Sequence, residues 1–348
     1  MSCVPPLDTD KIETILSRIP CLTIGIIGDL FLDRYLDLDA ALTEPSLETG
    51  LDAYQVVGVR SSPGAAGTVI NNLVALGVGH VYPIAILGDD GEGYELRQTL
   101  NGQRVVHSDG LILASDRRTP TYTKPMLHEP GTSPRELNRL DIKNRRPLSA
   151  LLEEQIHHKL AEIWPRVDAL VVLDQVSEAD CGVITARVRG QLAELAASEP
   201  DKFILADSRE RIGLFRGVCL KPNRHEALRA AGEPDSGGDE TLERAVSHLA
   251  RQAGRIVFCT DGGYGIRIAS PREGVGARSP AYPVSGPIDI VGAGDSTSAG
   301  IVCAMASGVS PEVAAAFGNL VASITIQQLG TTGTATPAQI RQRWSKVN

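Results

Sequence analysis

The sequence of 348 residues has few aromatic side chains and no excess of positive charge. Trp, Tyr and Phe together make up 4% of the chain, so stacking platforms for single-stranded nucleic acid are not expected. The chain has 42 acidic and 34 basic residues, which gives a formal net charge of −8. We therefore expect neither a nucleic acid nor a membrane as a partner. Phosphorylated small molecules stay compatible with this charge, because backbone amides can bind phosphate on an acidic protein.

The sequence also lacks long apolar runs and paired cysteines. No run reaches the ~18–20 apolar residues of a membrane-spanning helix, and no basic stretch followed by an apolar run indicates a signal peptide. No Cys-x-x-Cys and no Cys/His cluster has zinc spacing. We expect the cysteines to be reduced and buried in a cytoplasmic protein. They are Cys3, Cys21, Cys181, Cys219, Cys259 and Cys303.

Short apolar runs alternate with amphipathic stretches of helical length. The runs predict buried strands at 22–27, 81–86, 169–173, 203–206, 218–220 and 256–259. The amphipathic stretches predict helices at 69–76, 92–101, 149–164, 181–197 and 240–252. This alternation is typical of an α/β fold in which helices cover both faces of a mainly parallel sheet.

Two segments, residues 35–61 and 104–128, interrupt this alternation. Both contain β-rich pieces, such as the one beginning at Tyr54, that no helix separates. We interpret them as a small antiparallel sheet that projects from a single main domain as a lid. Because exposed strand edges tend to pair, a homodimer through the lid stays an open alternative to a monomer.

The most informative segment is a glycine-rich turn at residues 292–294. It leads into a predicted helix from Asp295 to Ser307. A turn of small residues lets backbone amides approach an anion, and the helix start adds unpaired N–H groups. Asp295 could there accept a proton from a hydroxyl group while the turn holds a phosphoryl group. The alternative is that Asp295 and Ser296 only cap the helix.

Two common nucleotide-binding motifs, Gly-x-x-x-x-Gly-Lys-[Ser/Thr] and Gly-x-Gly-x-x-Gly, are absent. Other pieces accompany the glycine turn in a fixed order: Gly28-Asp-Leu-Phe-Leu-Asp-Arg-Tyr, Gly64-Ala-Ala-Gly-Thr, Lys221-Pro-Asn-Arg-His-Glu and Thr260-Asp-Gly-Gly-Tyr-Gly. With them, residues 22–338 resemble the ribokinase-like (PfkB) family of carbohydrate kinases. Within the family the chain is most similar to the heptose-phosphate kinases, on pieces that include Thr123-Lys124, Arg139-Leu-Asp and Leu329-Gly-Thr.

The resemblance implies a three-layer α/β/α domain with a β-sheet lid, and it implies roles at the phosphoryl end. Asp295 matches the general base, and Gly292, Ala293 and Gly294 match the anion hole. Asp289 matches an aspartate that binds a monovalent cation, K⁺. ATP and Mg²⁺ are the other implied cofactors.

The resemblance also implies nucleotide contacts. Asn223 and Glu226 match an Asn-x-x-Glu motif that orders the ATP phosphates and the water ligands of Mg²⁺. Each residue also has a local alternative. Asn223 could be a turn residue, and Glu226 could be an acidic residue in the first turn of a helix. Thr260, Gly262 and Gly265 match the loop beside the nucleotide, for which a hairpin turn is the alternative. Asn319 matches a position near the adenine, or else packs between helices.

At the acceptor end the resemblance implies substrate contacts from several segments. The matching residues are Asp29, Asp33, Arg34, Gly64, Thr68, Asn72, Lys124 and Asp174. Asp174 ends a predicted strand, at the sheet edge where ligands of α/β proteins bind. Arg34, Lys124 and the pair 117–118 are candidates for a phosphate already on the sugar. For Arg117 and Arg118 a solvated charged face is the favoured alternative.

Three departures from the family pattern fall on substrate or ion contacts. Thr68 stands where the family has Asn, Val291 stands where it has Thr, and no Tyr-x-x-Gly follows Asp174. Asp295 and its glycines are intact, so we expect kinase chemistry on a different sugar. From the length we expect no nucleotidyltransferase domain of the kind that some heptose kinases carry.

The function predicted from these residues is an ATP-dependent sugar or sugar-phosphate kinase. Two alternatives stay open: a nucleoside kinase of the same family, and a non-catalytic protein that binds a sugar or a nucleotide. Thr68 and Val291 motivate the second alternative.

Overall fold

The computed structural model describes residues 7–348 and contains two β-sheets. The larger sheet has nine strands in the order β14-β13-β12-β11-β10-β9-β1-β4-β5. Its pairs are parallel from β5 across to β12, and the last two pairs are antiparallel. The strands are β1 (Thr23–Gly28), β4 (His80–Gly88), β5 (Leu111–Ala114), β9 (Ala169–Asp174), β10 (Phe203–Ser208), β11 (Cys219–Leu220), β12 (Val257–Thr260), β13 (Ile266–Ser270) and β14 (Gly274–Ser279).

Each of the six apolar runs forms a strand of this sheet, within one or two residues of the predicted bounds. The central strand β9 is buried along its whole length, as an apolar run in a sheet covered on both faces must be. The family fold predicted from the sequence is therefore confirmed.

Ten α-helices lie along the described part of the chain. They are α1 (Thr9–Arg18), α2 (Ala66–Leu76), α3 (Gly91–Asn101), α4 (Ala150–Ile163), α5 (Ala186–Ser198), α6 (Arg224–Ala230), α7 (Asp239–Ala253), α8 (Ala293–Ala306), α9 (Pro311–Thr325) and α10 (Pro337–Val347). The start predicted for α5 at Cys181 is wrong. Thr185 caps the helix by accepting a hydrogen bond from Val188 N–H, so the helix begins at Ala186.

The two faces of the large sheet carry separate apolar cores, which makes the domain three-layered. One core joins residues such as Ile24 and Ile26 to helices α1, α2, α8, α9 and α10. The other joins Ile27 and Val172 to helices α4, α5 and α7. Neighbouring residues of β1 thus point to opposite cores, as the two-residue period of a strand requires.

The smaller sheet is the predicted lid, but it is built differently from the prediction. It consists of β2 (Leu30–Pro45), β3 (Asp52–Ala65), β6 (Thr121–His128), β7 (Arg135–Glu136) and β8 (Leu140–Ile142). The segment 104–128 does not belong to it as a whole, because β5 pairs in parallel with β4 in the large sheet. Strands β2 and β6 are parallel, so the lid is not purely antiparallel.

The outer edge of the lid is the long strand β3, which has a partner on one side only. Its apolar side chains are unusually open: Val57 is 58% exposed and Val59 is 59% exposed. Tyr54 and Val56 add to the same apolar edge. An apolar, unpaired edge strand is the kind of surface that pairs with another chain.

The cysteine prediction holds for four of the six positions. Cys181, Cys219, Cys259 and Cys303 are buried and unpaired, whereas Cys21 is exposed and corrects the expectation for that position. Cys3 lies outside the described residues. Among residues 7–348, no helix is both long enough and apolar enough to cross a membrane.

Candidate active site

The glycine turn places free backbone amides at the start of α8. Gly292 adopts φ 79° and ψ 0°, a left-handed conformation that favours glycine. Helix α8 begins at Ala293, two residues before the predicted start, and its first helical bond runs from Ser296 N–H to Gly292 O. Ala293 N–H donates to Ile290 O. Among the described residues, the amides of Gly294 and Asp295 have no backbone acceptor, so they are free to bind an anion.

Asp295 lies in the first turn of α8 and lines a cavity of about 730 Å³. Burial raises the pKa of its carboxyl to about 7, and the nearby Asp207 carboxylate adds to the rise. The cations Lys221 and Arg209 oppose it. A carboxyl group with a pKa near neutrality is suited to exchange a proton with a hydroxyl group at physiological pH.

A buried ion pair that the sequence analysis missed lies beside Asp295. Lys221 follows β11, and its Nζ is 2.8 Å from Asp207 Oδ2 at the end of β10. Both side chains line the large cavity. A lysine placed directly after the buried apolar run 218–220 was the sequence signal for this residue. The pair puts a positive charge next to Gly294, where a built Cβ would lie 3.6 Å from Lys221 Nζ.

Asn223 and Glu226 form a reciprocal capping box at the start of α6. Asn223 Oδ1 accepts from Glu226 N–H at 2.9 Å, and Glu226 Oε2 accepts from Asn223 N–H at 2.8 Å. The local alternative therefore describes what both side chains do in this structure. Both residues also line the cavity, and burial together with Asp207 raises the pKa of Glu226. Asn223 and Glu226 therefore cap α6 and line the cavity at the same time.

The loop between β12 and β13 presents open backbone to the same cavity. Gly262 and Gly263 have no neighbouring atom within 4 Å of a built Cβ, and both line the cavity with Thr260. Gly265 has φ 90°, and its built Cβ would lie 2.1 Å from Ser279 O, so this position requires glycine for the fold alone. The open space at 262–263 is what a ligand close to the backbone would need.

Asn319 of α9 and an apolar wall close the far end of the cavity. Asn319 Nδ2 donates to Ser279 O at 3.1 Å and to Pro280 O at 3.1 Å, so it holds α9 against the end of β14. The sequence analysis missed the wall itself, which lies in an irregular segment without periodicity. Its residues are Ala281, Tyr282, Pro283, Val284, Ile288, Ile290, Ala322 and Ile326.

Asp289 joins two loops behind the glycine turn. Its Oδ1 accepts from Val291 N–H at 3.0 Å, and its Oδ2 accepts from Gly330 N–H at 3.1 Å. Gly330 belongs to the Leu329-Gly-Thr piece that the sequence analysis singled out. Asp289 therefore fixes the turn from behind, with its carboxylate already engaged by two amides.

Asp33, Gly64 and Lys124 lie together at the base of the lid. A Cβ built on Gly64 would be 2.3 Å from Asp33 Oδ2, so the absence of a side chain there makes room for this carboxylate. Lys124 Nζ lies 3.7 Å from Asp33 Oδ1 and 3.0 Å from the hydroxyl group of Tyr35. The Asp33 carboxylate also helps to raise the pKa of Asp295. Asp33, where the lid joins the main domain, is therefore near the Asp295 carboxyl.

Thr68 lies in the first turn of α2, on the other side of the glycine turn, and Asn72 lies one turn further along the helix. Thr68 Cγ2 is 3.4 Å from a Cβ built on Gly292, which places this residue next to the turn. Asn72 is fully buried, and its Nδ2 donates to Thr68 O at 2.9 Å. Thr68 thus stands at the turn, whereas Asn72 supports the helix that carries it.

Three residues predicted to contact the substrate have partners within the protein. Arg34 points to the opposite face of the lid, where it pairs with Glu92 at 3.3 Å and Glu95 at 2.6 Å on α3. Asp174 pairs with Arg211 at 2.6 Å and accepts from Ser208 Oγ at 2.6 Å.

Asp29 is the third such residue. Its carboxylate accepts from the backbone N–H groups of Gln175, Val176 and Val183 at 2.8–2.9 Å. Burial and the Asp174 carboxylate raise its pKa to about 6. Asp29 therefore shapes the segment after β9, although it also lines a small cavity of about 40 Å³ beside the acceptor end.

The two neighbouring arginines at 117–118 differ from each other. Arg117 is buried, and its guanidinium donates to Arg146 O at 2.6 Å and to Cys181 O at 2.5 Å, so the interpretation as a solvated charge is wrong for it. Arg118 is exposed and pairs with Asp90 and Glu92 on the surface. Both guanidinium groups are thus engaged by other groups of the protein.

Comparison with known proteins agrees with this geometry. Residues 218–339, which hold the cavity wall and the glycine turn, match the pfkB family of carbohydrate kinases. A Pelobacter propionicus protein called bifunctional protein HldE is 31% identical over 344 residues, covering 96% of this chain. A second protein of that name, from Trichlorobacter lovleyi, is 28% identical over 346 residues. The chain spans 65% of the length of each.

Solved structures share the fold at low sequence identity. Arabidopsis thaliana ribokinase, complexed with ribose and ATP, has a TM-score of 0.67 at 16% identity and covers 92% of this chain and 98% of its own. Escherichia coli phosphofructokinase-2, in complex with potassium, has a TM-score of 0.69 at 15% identity, with 94% and 99% covered.

Proposed function

Since this chain belongs to the pfkB family of carbohydrate kinases, we propose that it transfers the γ-phosphoryl group of ATP to a hydroxyl group of a sugar or sugar phosphate. The observation that carries the proposal is the half-buried Asp295 carboxyl directly beside free amides of the glycine turn. A base and an anion site are thereby next to each other, as in-line transfer to an alcohol requires.

Asp295 acts as the general base. Its carboxylate takes the proton of the acceptor hydroxyl group while the hydroxyl oxygen attacks the γ-phosphorus and the bond to the β-phosphate oxygen breaks. The N–H groups of Gly294 and Asp295 donate to the oxygens of the moving phosphoryl group. Lys221, already paired with Asp207, contributes positive charge on the same side.

ATP lies along the large cavity in this proposal. The open backbone at 262–263 borders the ribose and phosphates, and the apolar wall with Tyr282 and Ile326 encloses the adenine. The cavity of about 730 Å³ is in the range of pockets that hold ligands of this size. A ribokinase of the same fold binds ATP, which supports the proposal that this cavity holds ATP.

The residues present fit Mg²⁺ bound mainly through phosphate and water. No group of three His, Cys, Asp or Glu side chains within residues 7–348 is arranged to hold a metal ion alone. Mg²⁺ commonly keeps several waters and takes one or two carboxylates plus substrate phosphates, a role open to Glu226 and Asp207. The ion supplies charge neutralisation on the phosphates.

Asp289 is the residue that would support K⁺ behind the glycine turn. Its carboxylate lies where two loops meet, and backbone oxygens of such loops are suited to a monovalent cation. Potassium bound to phosphofructokinase-2 of the same fold supports this assignment.

The acceptor lies between the lid and Asp295. Asp33 and Thr68 are the groups that would hydrogen-bond its hydroxyl groups, and Lys124 is the cation at the lid base that would bind an anionic substituent. The lid excludes water that would otherwise hydrolyse ATP. The apolar edge of β3 further supports a homodimer through the lid.

Phosphoryl transfer measured on the purified chain tests the proposal. We would incubate it with Mg-ATP, K⁺ and panels of sugars, sugar phosphates and nucleosides, and detect ADP and the phosphorylated product. Asp295→Asn should lower kcat by about 10²–10⁴-fold, the usual contribution of a general base. Asp201→Asn, an exposed position away from the cavity, is the matched control. Transfer to nucleosides alone, or binding without transfer, would contradict the proposal.

A further inference from the structure

Arg209 differs from the neighbouring cations Arg211, Lys221 and Arg229, because no carboxylate of residues 7–348 forms an ion pair with it. Arg211 pairs with Asp174 at 2.6 Å, and Lys221 pairs with Asp207 at 2.8 Å. Arg229 pairs with Glu210 at 3.2 Å. Within residues 7–348, the Arg209 guanidinium forms no ion pair and donates no hydrogen bond to another residue. A cation without a partner beside a binding cavity is available for an anionic ligand.

The position of Arg209 is fixed by its backbone rather than by its side chain. The residue directly follows β10, and its N–H donates to Asp174 O at 3.1 Å. Its carbonyl oxygen accepts from the Arg229 guanidinium. The backbone is therefore held from two sides, while the long side chain is free to reach into the cleft.

Arg209 borders both the large cavity and the small cavity beside the acceptor end. It lines the large cavity that contains Asp295, and it also lines the small cavity that contains Asp29 and Tyr122. Gln175 is the other residue common to both. A group shared by the two cavities lies between the nucleotide side and the acceptor side.

The charge of Arg209 acts on two carboxyl groups of the large cavity, those of Asp295 and Glu226. Burial and Asp207 raise the pKa of Asp295, and Arg209 is one of the two cations that oppose this rise. Burial and Asp207 also raise the pKa of Glu226, where Arg209 again opposes the rise. Its field therefore reaches the proposed base and the acid beside the proposed phosphate site.

We propose that Arg209 is a catalytic residue that contacts the phosphoryl group during its transfer from ATP to the acceptor. This role rests on the proposed function. As the acceptor oxygen bonds to the γ-phosphorus, the bond to the bridging oxygen breaks, and ADP leaves with that electron pair. The acceptor proton passes to Asp295. The planar guanidinium donates two hydrogen bonds to the equatorial oxygens, a geometry that suits phosphoryl transfer.

Kinetics of Arg209→Gln and Arg209→Lys, with the best acceptor of the wild type, test this role. We expect kcat of Arg209→Gln to fall at least about 100-fold, with the KM of the acceptor changed less than about threefold. Arg209→Lys should keep part of the rate. Arg216→Gln is the matched control, because this exposed arginine donates only to the carbonyls of Gly213 and Phe215.

A transition-state analogue separates contact with the phosphoryl group from a structural role. ADP with aluminium fluoride and acceptor should raise the melting temperature of the wild type above the value with ADP alone. Arg209→Gln should lose this extra rise but keep the rise caused by ADP. Added guanidinium ion should restore part of its kcat.

The outcomes distinguish the two proposals. An unchanged kcat in Arg209→Gln, or a higher acceptor KM with unchanged kcat, would overturn the role of Arg209 and leave the kinase function intact. Absence of transfer by the wild type with every acceptor would overturn the kinase function, and the role of Arg209 with it.

Discussion

Replacing Asp295 by Asn should make the protein more stable while it removes catalysis. Burial, with the Asp207 carboxylate, raises the pKa of this carboxyl from 3.8 to about 7. In the unfolded chain the group ionises near pH 4, so the folded state binds more protons between about pH 4 and pH 7. The free energy of unfolding of the wild type therefore falls as the pH rises through this window, and the full cost is present above pH 7.

The size of the effect follows from the shift. About three pKa units at ~1.4 kcal/mol each correspond to a cost of about 4 kcal/mol at pH 8, which is an upper bound. At pH 5 only about 1–2 kcal/mol of that cost has developed. An asparagine has nearly the same shape and no charge, so it removes the cost at both pH values.

Urea unfolding of the wild type and of Asp295→Asn at pH 8 and pH 5 measures this difference. We expect the variant to be more stable at pH 8, with a gain about 2–3 kcal/mol larger than the gain at pH 5. Comparison at equal pH cancels the titration of all other groups, and Asp201→Asn should show no such dependence. A gain that is equal at both pH values, or a loss of stability, would refute the argument that a raised pKa of Asp295 lowers the free energy of unfolding.

Three further predictions follow from the same site. The kcat/KM of the wild type should rise about fifty-fold from pH 5 to pH 7, because only the ionised Asp295 accepts a proton; a flat pH profile would count against this base. Gly265→Ala should lower the melting temperature and raise the KM of ATP, whereas Gly263→Ala, which has open space, should keep the melting temperature; equal melting temperatures would contradict the steric argument. Replacing Val57 and Val59 together by Lys should convert a dimer to a monomer in light scattering; a monomeric wild type would exclude the lid interface.

Features formed by consecutive residues were predictable. The solved structures confirm the fold, and residues 218–339 match the family that the sequence resembles. The glycine turn and Asp295 lie within four consecutive residues, so local conformation alone brings them together. The apolar runs became strands because a sheet covered on both faces needs continuous apolar segments.

Side-chain direction was the part that the sequence did not reveal. Arg34 follows Asp33 directly, but successive side chains of a strand point to opposite faces of the sheet. Arg34 therefore lies on the face where it pairs with Glu92 and Glu95 of α3. Asp174 similarly depends on Ser208 and Arg211, which lie 34 and 37 residues away. Lys221 depends on Asp207 of another strand, and only the sheet order brings these partners together. A pattern of residue types contains no information about which of two faces a non-local partner occupies.

The lid is assembled from two separate parts of the chain, residues 30–65 and 121–142, with α2, β4, α3 and β5 between them. Strand β2 joins these parts, since it pairs with β3 on one side and with β6 on the other. Recombination between relatives at any point from 66 to 120 would therefore combine half of one lid with half of another. The cross-strand contacts of β2 with β6 would then have to match between different parents, so the lid is inherited as a unit only when the intervening residues 66–120 are inherited with it.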